Sequence, residues 1–425
     1  MASPVNPPRG MRDFLPAEKA RRERILSVIR ATYRAHGFDE IETPVVEDSS
    51  RLHAGLGGDN EKLAYAVMKR GLTLDDLHAA TDPLDLADLG LRFDLTVPLA
   101  RFYATHRAEL PTVFRAIQIA PVWRAERPQK GRYRQFIQCD IDIIGEAGPI
   151  AELELITATT AALDALGLSG CTVRINDRRL LTSSLTILGF APSEQDAALI
   201  TIDKLDKLGQ EGVIAELRER AFTPAAVDAL EEFFRRPMTM EHLPFGEAAI
   251  RTFLPEGADP VAIAELAGIG EAVNEAAAAE VVVFDPWLVR GMGYYTGTIF
   301  EVAHPELGYS IGGGGRYDGM IGRFLGTDIP AAGFSLGFER LVDLVDVPGP
   351  DAADAVALLH DADVPLTRLA SLQSALVAQG LRVRLERKPR NLAPLFAQLA
   401  ASGFGRVATV TAESTVESLE FRPLA

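Results

Sequence analysis

The chain has 425 residues, 47% of them hydrophobic and 24% charged, a size that predicts two or three packed domains with no need of covalent staples. Its 59 acidic and 43 basic residues leave a net charge of −16, which on its face opposes a polyanionic ligand, because phosphate binding runs on Lys and Arg contacts that release counterions. Cys139 and Cys171 are the only cysteines, too few for a disulfide scaffold or a four-thiolate metal site and suited to a reducing compartment, so the expected location is cytoplasmic.

The N-terminal stretch MASPVNPPRGMRDFLP lacks the apolar run of a signal peptide and is too rich in proline for an amphipathic transit helix. No later stretch approaches the roughly 18 to 20 apolar residues that a bilayer-spanning helix requires, so no membrane partner is expected. Between Glu18 and His36, Ile25, Leu26, Val28, Ile29 and Tyr33 fall mainly on one helical face, and Gly37 is placed as a C-cap glycine. FDEIETPVVED reads as a strand interrupted by Pro44, which belongs at an edge or bend; such an edge can pair or pack across a dimer.

Leu91 to Gly145 is rich in strand formers, and FIQCDIDIIG alternates apolar and polar residues, which predicts an antiparallel sheet with one buried face. From about 184 to about 274 the composition shifts to Ala, Leu, Glu and Lys, the mark of a helical insertion. Strand signals return at VVVFDPWLVR. The segment VPGPDAAD is linker-like, so the expected division is a domain over 1–345, a linker over 346–354 and a second domain over 355–425. In the last of these, AVALLH, a helix ending at Gly380, LRVRLE, a helix around NLAPLFAQLAASG and RVATV form a β-α-β-α-β series, predicting a small layered α/β domain.

Four segments can carry chemistry. From Arg124 to Arg134 the chain holds Arg124, Arg127, Lys130, Arg132 and Arg134 against Glu126 alone. Pro128 and Gly131 break this run between flanking strands, so it reads as a hairpin loop whose arginines can grip phosphate oxygens bidentately, although a solvated basic hairpin has the same composition. Phe136, just after it, can stack on a base. In LVRGMGYYTGTIFE, Arg290 precedes two glycines and the pair Tyr294–Tyr295, so a ligand can approach the backbone beside apolar faces with hydroxyl tips; a turn with core tyrosines is the other reading.

SIGGGGRYDGM admits no G-x-G-x-x-G spacing, and no G-x-x-x-x-G-K-[ST] occurs, so dinucleotide and P-loop readings fall away. A glycine strand on which a flat ligand lies against bare backbone remains, beside a bulge or tight turn. In GFSLGFERL, Arg340 can meet the far end of a polyphosphate. Gly333 to Gly337 also match a G-x-S-x-G nucleophile elbow with Ser335, but the only later histidine, His360, lies beyond the linker. The seven histidines show no metal-ligand spacing among themselves or with cysteine, so no cysteine- or histidine-ligated metal is expected.

Taken in order, these segments resemble the histidyl-tRNA synthetases, a family of class II aminoacyl-tRNA synthetases. The likeness begins at PRGMRDFLP and runs through GFDEIETPVVED, similar to motif 1, LRFDLT, and the block from Pro121 to Gly145, similar to motif 2. It continues through IDKLDK, the two histidine-specific signatures LVRGMGYYTGTIFE and GGGGRYDG, and GFSLGFERL, similar to motif 3. The resemblance implies an α+β fold: a class II synthetase-like antiparallel catalytic sheet flanked by helices, a helical insertion and a C-terminal α/β anticodon-binding-like domain. It implies ATP as substrate with Mg²⁺, L-histidine and tRNA(His) as partners, and a homodimer with the Pro44 region near the interface. The reaction would be activation of histidine to histidyl-adenylate, then transfer to the 3′ end of tRNA.

The resemblance also assigns roles by position. Arg124 and Arg290 would flank the α-phosphate, where negative charge grows during attack, and with Gln138 they would carry the catalysis. Glu126 and Arg132 would engage ATP, Phe136 would stack on adenine and Arg340 would meet the γ-phosphate. Asp94, Thr96 and Gln138 match the positions that bind the histidine amino group. Asp142 and Tyr295 match those that face the imidazole, with Tyr317 closing the same pocket. Arg127 and Gln129 would read the tRNA acceptor end. In the C-terminal domain, Arg387 and Lys388, within the cluster Arg382 to Arg390, are the candidate anticodon contacts, a solvated strand end being the other reading. Gly293 stands where the family often has Asp, which removes one side-chain contact for the neighbouring loop. The main rival is the histidine-binding regulatory subunit of ATP phosphoribosyltransferase, a non-catalytic paralogue of the same fold that tends to lose the Arg290 signature and the anticodon domain.

Overall fold

Pro16 opens the first helix and Gly37 closes it. In the computed structural model, which describes residues 5–53, 62–128, 131–235, 245–290, 294–347, 349 and 352–424, this helix spans Pro16–Ala35. Gly37 follows at φ +85°, the left-handed conformation that glycine adopts without strain. Ile25, Leu26, Ile29 and Tyr33 form its buried stripe. The chain divides into two compact units, Met1–Arg12 with Val28–Val345, and Asp13–Ser27 with Asp346–Ala425.

The strands of the first unit are β1 (Asp39–Glu40), β2 (Val46–Asp48), β3 (Tyr65–Met68), β4 (Ala87–Leu91), β5 (Phe114–Trp123), β6 (Gln135–Ile144), β7 (Thr172–Asp177), β8 (Val282–Phe284), β9 (Thr298–Ala303), β10 (Gly312–Arg316) and β11 (Ala331–Gly337). Eight of them form one sheet in the order β1-β5-β6-β11-β10-β9-β7-β8. It is antiparallel except at its two ends, where β1–β5 and β7–β8 run parallel. Pro44 does more than interrupt a strand. It separates β1, at the edge of the large sheet, from β2, which joins a three-stranded sheet ordered β2-β4-β3.

Two expectations change here. The block from Leu91 to Gly145 is not all strand, because Thr96–His106 is a helix with Val97, Leu99, Ala100 and Tyr103 buried. Its apolar and aromatic residues suit a strand as well as a helix, so composition does not separate the two. Nor does β6 bury only one face: every residue from Gln138 to Ile144 is buried. Cys139, Ile141 and Ile143 alternate with Gln138, Asp140 and Asp142. The helix Ile150–Ala165 packs on β6 and on β11, while the polar face is covered because it lines a cleft.

Between β7 and β8 the described residues carry helices at Arg178–Ile187, Pro192–Ile202, Leu205–Glu219, Pro224–Phe234, Glu247–Thr252 and Pro260–Ala277. The first four share a core of Leu185, Leu199, Ile202, Val213, Leu217, Val227 and Leu230. In the second unit, β13 (Arg382–Arg387), β12 (Ala355–His360) and β14 (Arg406–Val410) run parallel, and β15 (Arg422–Pro423) closes the edge antiparallel. Along β12, Val356 and Leu358 join the core of helix Leu366–Ala378, while Ala357 and Leu359 join Leu399 of helix Ala393–Ala401. Both faces of this sheet are covered, as parallel strands require.

Candidate active site

Residues directly paired across antiparallel strands present their side chains on the same face. On β6 and β11, Asp142 pairs with Gly333, Asp140 with Ser335 and Gln138 with Gly337. Ser335 pairs onward with Gly313 of β10, which pairs with Glu301 of β9. One face of four strands thus carries Gln138, Asp140, Asp142, Ser335 and Glu301 above a floor of glycine. Larger residues do not fit that floor. A Cβ on Gly313 would lie 2.6 Å from the guanidinium carbon of Arg290, and one on Gly333 would lie 2.0 Å from Asp142 Oδ1. The glycine run is therefore a central strand and not a bulge or turn.

Over this face lies a cleft of about 460 Å³, within the range of pockets that hold small-molecule ligands. It brings together Asp94, Thr96, Arg124, Glu126, Arg132, Phe136, Gln138, Asp142, Arg290, Tyr295, Tyr317 and Arg340, the expected histidine and ATP positions. Arg127 is exposed on the loop between β5 and β6 and does not line the cleft. Gln129 and Gly293 lie outside the described residues. Arg387 and Lys388 belong to the second unit: Arg387 is exposed, and Lys388 Nζ stands 3.1 Å from Asp361 Oδ2. Ser335 lies inside β11, not at the strand-to-helix turn that a nucleophile elbow needs. Among the described residues no group of three or more His, Cys, Asp or Glu is placed to hold a metal ion.

One end of the cleft is built around Asp142. The Tyr317 hydroxyl donates to Asp142 Oδ1 at 2.5 Å, and both residues are buried. Burial pushes the Asp142 carboxyl up to about 7; the Tyr317 hydrogen bond pulls it back down and the Asp94 charge adds to the rise. Asp94 precedes the helix Thr96–His106, where its Oδ1 accepts from Val97 N at 3.2 Å. Tyr294 and Tyr295 lie with ring centroids 4.3 Å apart. A carboxylate and tyrosine hydroxyls facing inward suit a small ligand with ring N–H donors.

The other end is cationic. Arg124 donates from Nε to Phe93 O at 2.9 Å and from Nη2 to Gln138 Oε1 at 3.4 Å, with its guanidinium 5.0 Å from the Phe136 ring centroid. Arg290 forms an ion pair with Glu301, which also receives Arg174 Nη2 at 2.5 Å, and Arg174 reaches Asp285 at 3.0 Å. Burial alone would raise the Glu301 carboxyl, but the Arg290 and Arg174 charges outweigh it and hold Glu301 ionised. Arg340 donates to Ser310 O and lies over Tyr309. Burial lowers its pKa, and the like charges of Arg132 and Arg290 lower it further. Guanidinium groups that repel one another across an open cleft are poised for a polyanion.

Several residues at the site carried no sequence expectation. Arg12 forms an ion pair with Glu339 and stacks 3.8 Å from the Tyr133 ring centroid, while Gly10 O accepts from Arg134 N at 2.8 Å. The N-terminal PRGMR segment thus fastens the loop between β5 and β6. Its signal in the sequence is the Pro-Arg-Gly tripeptide, which marks a turn without naming its partner. Glu301 and Asp140 surface only once the strand register is known, and the register also gives Ser335 a place on the cleft face that its elbow-like motif did not suggest.

The sequence matches the family described as Histidyl-tRNA synthetase over residues 10–341. A histidine–tRNA ligase of Leifsonia xyli subsp. xyli is 59% identical over 428 residues, covering 100% of this chain and 99% of that protein. Histidyl-tRNA synthetase from Nostoc sp. PCC 7120 has a crystal structure similar to this one, with a TM-score of 0.78 at 25% identity over 100% of this chain and 95% of that one. A Bacillus halodurans protein described as an ATP phosphoribosyltransferase regulatory subunit/histidyl-tRNA synthetase gives a TM-score of 0.75 at 23% identity, over 93% of this chain and 97% of that one, a likeness of fold alone.

Proposed function

The chain belongs to the histidyl-tRNA synthetase family, and from that premise we propose how its cleft performs the family reaction. The protein activates L-histidine with ATP and passes the histidyl group to tRNA. The observation that carries the site reading is the meeting, in one cleft, of a buried carboxyl capped by Tyr317 with a set of arginines that includes Arg124, Arg290, Arg132 and Arg340. The first suits an imidazole, the second a triphosphate.

In the first step a carboxylate oxygen of histidine attacks the α-phosphorus of ATP, the bond to the bridging oxygen breaks and pyrophosphate leaves. Charge grows on the non-bridging α-phosphate oxygens, where Arg124 and Arg290 stand. Both are held in place beforehand, Arg124 by Phe93 O and Gln138, Arg290 by Glu301, so stabilisation needs little reorganisation as the charge develops. Asp94, Thr96 and Gln138 receive the substrate ammonium, and Asp142 with Tyr295 and Tyr317 receives the ring. Phe136 offers its face to adenine, Glu126 and Arg132 engage the nucleotide, and Arg340 meets the γ-phosphate. In the second step a hydroxyl at the tRNA 3′ end attacks the histidyl carbonyl and AMP leaves.

Mg²⁺ enters with the ATP substrate. The carboxylates at the cationic end, Glu126, Glu301 and Glu339, are each paired with arginine, so the ion would be held mainly by the ATP phosphates and water, which supply most Mg²⁺ ligands at nucleotide sites, and not by these side chains. Residues 1–345 are the catalytic domain and 355–425 bind the anticodon, with Arg387 and Lys388 as contacts and Arg127 and Gln129 at the acceptor end. The protein works in the cytoplasm as a homodimer. Val45 and Val46 beside Pro44 are exposed, and a second copy would cover them. No helix among the described residues is long and apolar enough to cross a membrane.

A regulatory subunit that binds histidine without charging tRNA has no need of the supported Arg290. The deciding experiment is ATP–pyrophosphate exchange. Exchange that depends on L-histidine is expected, and exchange with another amino acid, or with none of the twenty, would sink the proposal.

A further inference from the structure

Asp140 is a buried carboxyl in the cleft with no part in the chemistry above. It is 4% exposed, and on β6 it lies between Gln138 and Asp142 on their shared face. Both of its oxygens stand 3.3 Å from Gln138 Nε2, and the same nitrogen donates to Ser335 Oγ at 3.1 Å. At the other end of the amide, Gln138 Oε1 accepts from Arg124 Nη2 at 3.4 Å. Burial and the Asp142 charge push the Asp140 carboxyl upward, so an apolar residue here would be easier to keep. Position 140 therefore needs a reason for its carboxyl.

The reason lies in the two unlike ends of an amide. A guanidinium only donates, so Arg124 takes the oxygen, and an acidic side chain beside a serine hydroxyl takes the nitrogen. Turning the amide over would set Nε2 against Arg124 and Oε1 against Asp140, losing three contacts and creating two repulsive ones. A substrate ammonium is also donor-only and needs Oε1. We propose that Asp140, with Ser335, is a positioning residue that fixes the orientation of the Gln138 amide and so sets the affinity for the amino-acid substrate without touching it. This rests on the reading that Gln138 receives the substrate ammonium.

The test is the pair of KM values in ATP–pyrophosphate exchange. Asp140→Ala frees the amide, and the KM for L-histidine rises about tenfold while the KM for ATP holds. The double variant Gln138→Glu/Asp140→Ala keeps the total charge and offers an acceptor in either orientation, so it recovers most of the loss. Asp140→Asn keeps the shape and one acceptor oxygen; it folds as the parent does and raises the KM for histidine by less than Asp140→Ala. Equal rises in both KM values, or a double variant no better than Asp140→Ala, would overturn the proposal. Gln138→Ala separates the two readings: if it leaves the KM for histidine unchanged, the ammonium role of Gln138 fails whatever Asp140 does.

Discussion

Asp142 sits where carboxyls are rare, buried and hydrogen-bonded to Tyr317 within the field of Asp94. Its carboxyl is pushed up to about 7, against about 3.9 in an unfolded chain. The folded state therefore binds a proton that the unfolded state releases between those values. Stability is highest below the lower value, declines as pH rises through the window, and carries the full penalty above about 7. Asp142→Asn keeps an acceptor for Tyr317 and removes the titration. Thermal unfolding should show the variant more stable than the parent at pH 8, with the gain shrinking toward pH 5; a gain independent of pH would assign the stabilisation to packing. The same change replaces the acceptor proposed for the ring N–H, so the KM for histidine should rise about tenfold. Burial that strains the empty site is what makes the acceptor selective.

At the scale of elements, the position of Arg290 depends on two strands of the large sheet. Glu301 on β9 holds it, and Arg174 on β7, itself anchored by Asp285, holds Glu301. Glu301→Gln keeps the shape but removes the charge the two arginines share. It should lower kcat for pyrophosphate exchange by about tenfold or more, since the role proposed for Arg290 is on charge that develops in the transition state, while the KM for histidine stays near the parent value. An equal loss in both would mean that the relay supports the pocket as a whole. None of this relay can be read from the sequence, because residues 174, 285, 290 and 301 meet through strand register, which local periodicity does not encode. The alternation in FIQCDIDIIG is legible, but its polar face reads as solvent when it is a cleft, so Asp140 passes unnoticed. The helix Thr96–His106 is hidden because its residues suit either element. The β-α-β-α-β series of the second unit is plain, since short apolar runs, helical periods and Gly380 repeat the pattern of one fold. The arginines and tyrosines of the cleft are legible through their family motifs, whereas composition alone leaves each of them two readings.

For the whole molecule, the question is how a chain of net charge −16 holds a polyanion. The excess acid lies within residues 1–350, while residues 351–425 carry equal numbers of acidic and basic residues. Few cations are available for phosphate, so tRNA affinity should be modest and its salt slope small. Within the basic cluster of the second unit, several members are already engaged: Arg382 and Arg384 lie 4.4 and 4.6 Å from the Phe404 ring centroid, and Lys388 pairs with Asp361. Arg387 is exposed and is the strongest remaining candidate. Arg387→Gln should lower the slope of log K against log salt by about 0.7, the value for one phosphate contact on a single strand. Lys388→Gln should change it less, because Asp361 already neutralises much of that charge. Arg127→Gln, at the position proposed for the duplex acceptor end, should lower it by about 0.9. These slopes come from filter binding of tRNA(His) across a salt series. If Arg387→Gln leaves the slope unchanged, Arg387 is no phosphate contact and the basic cluster is a solvated strand end.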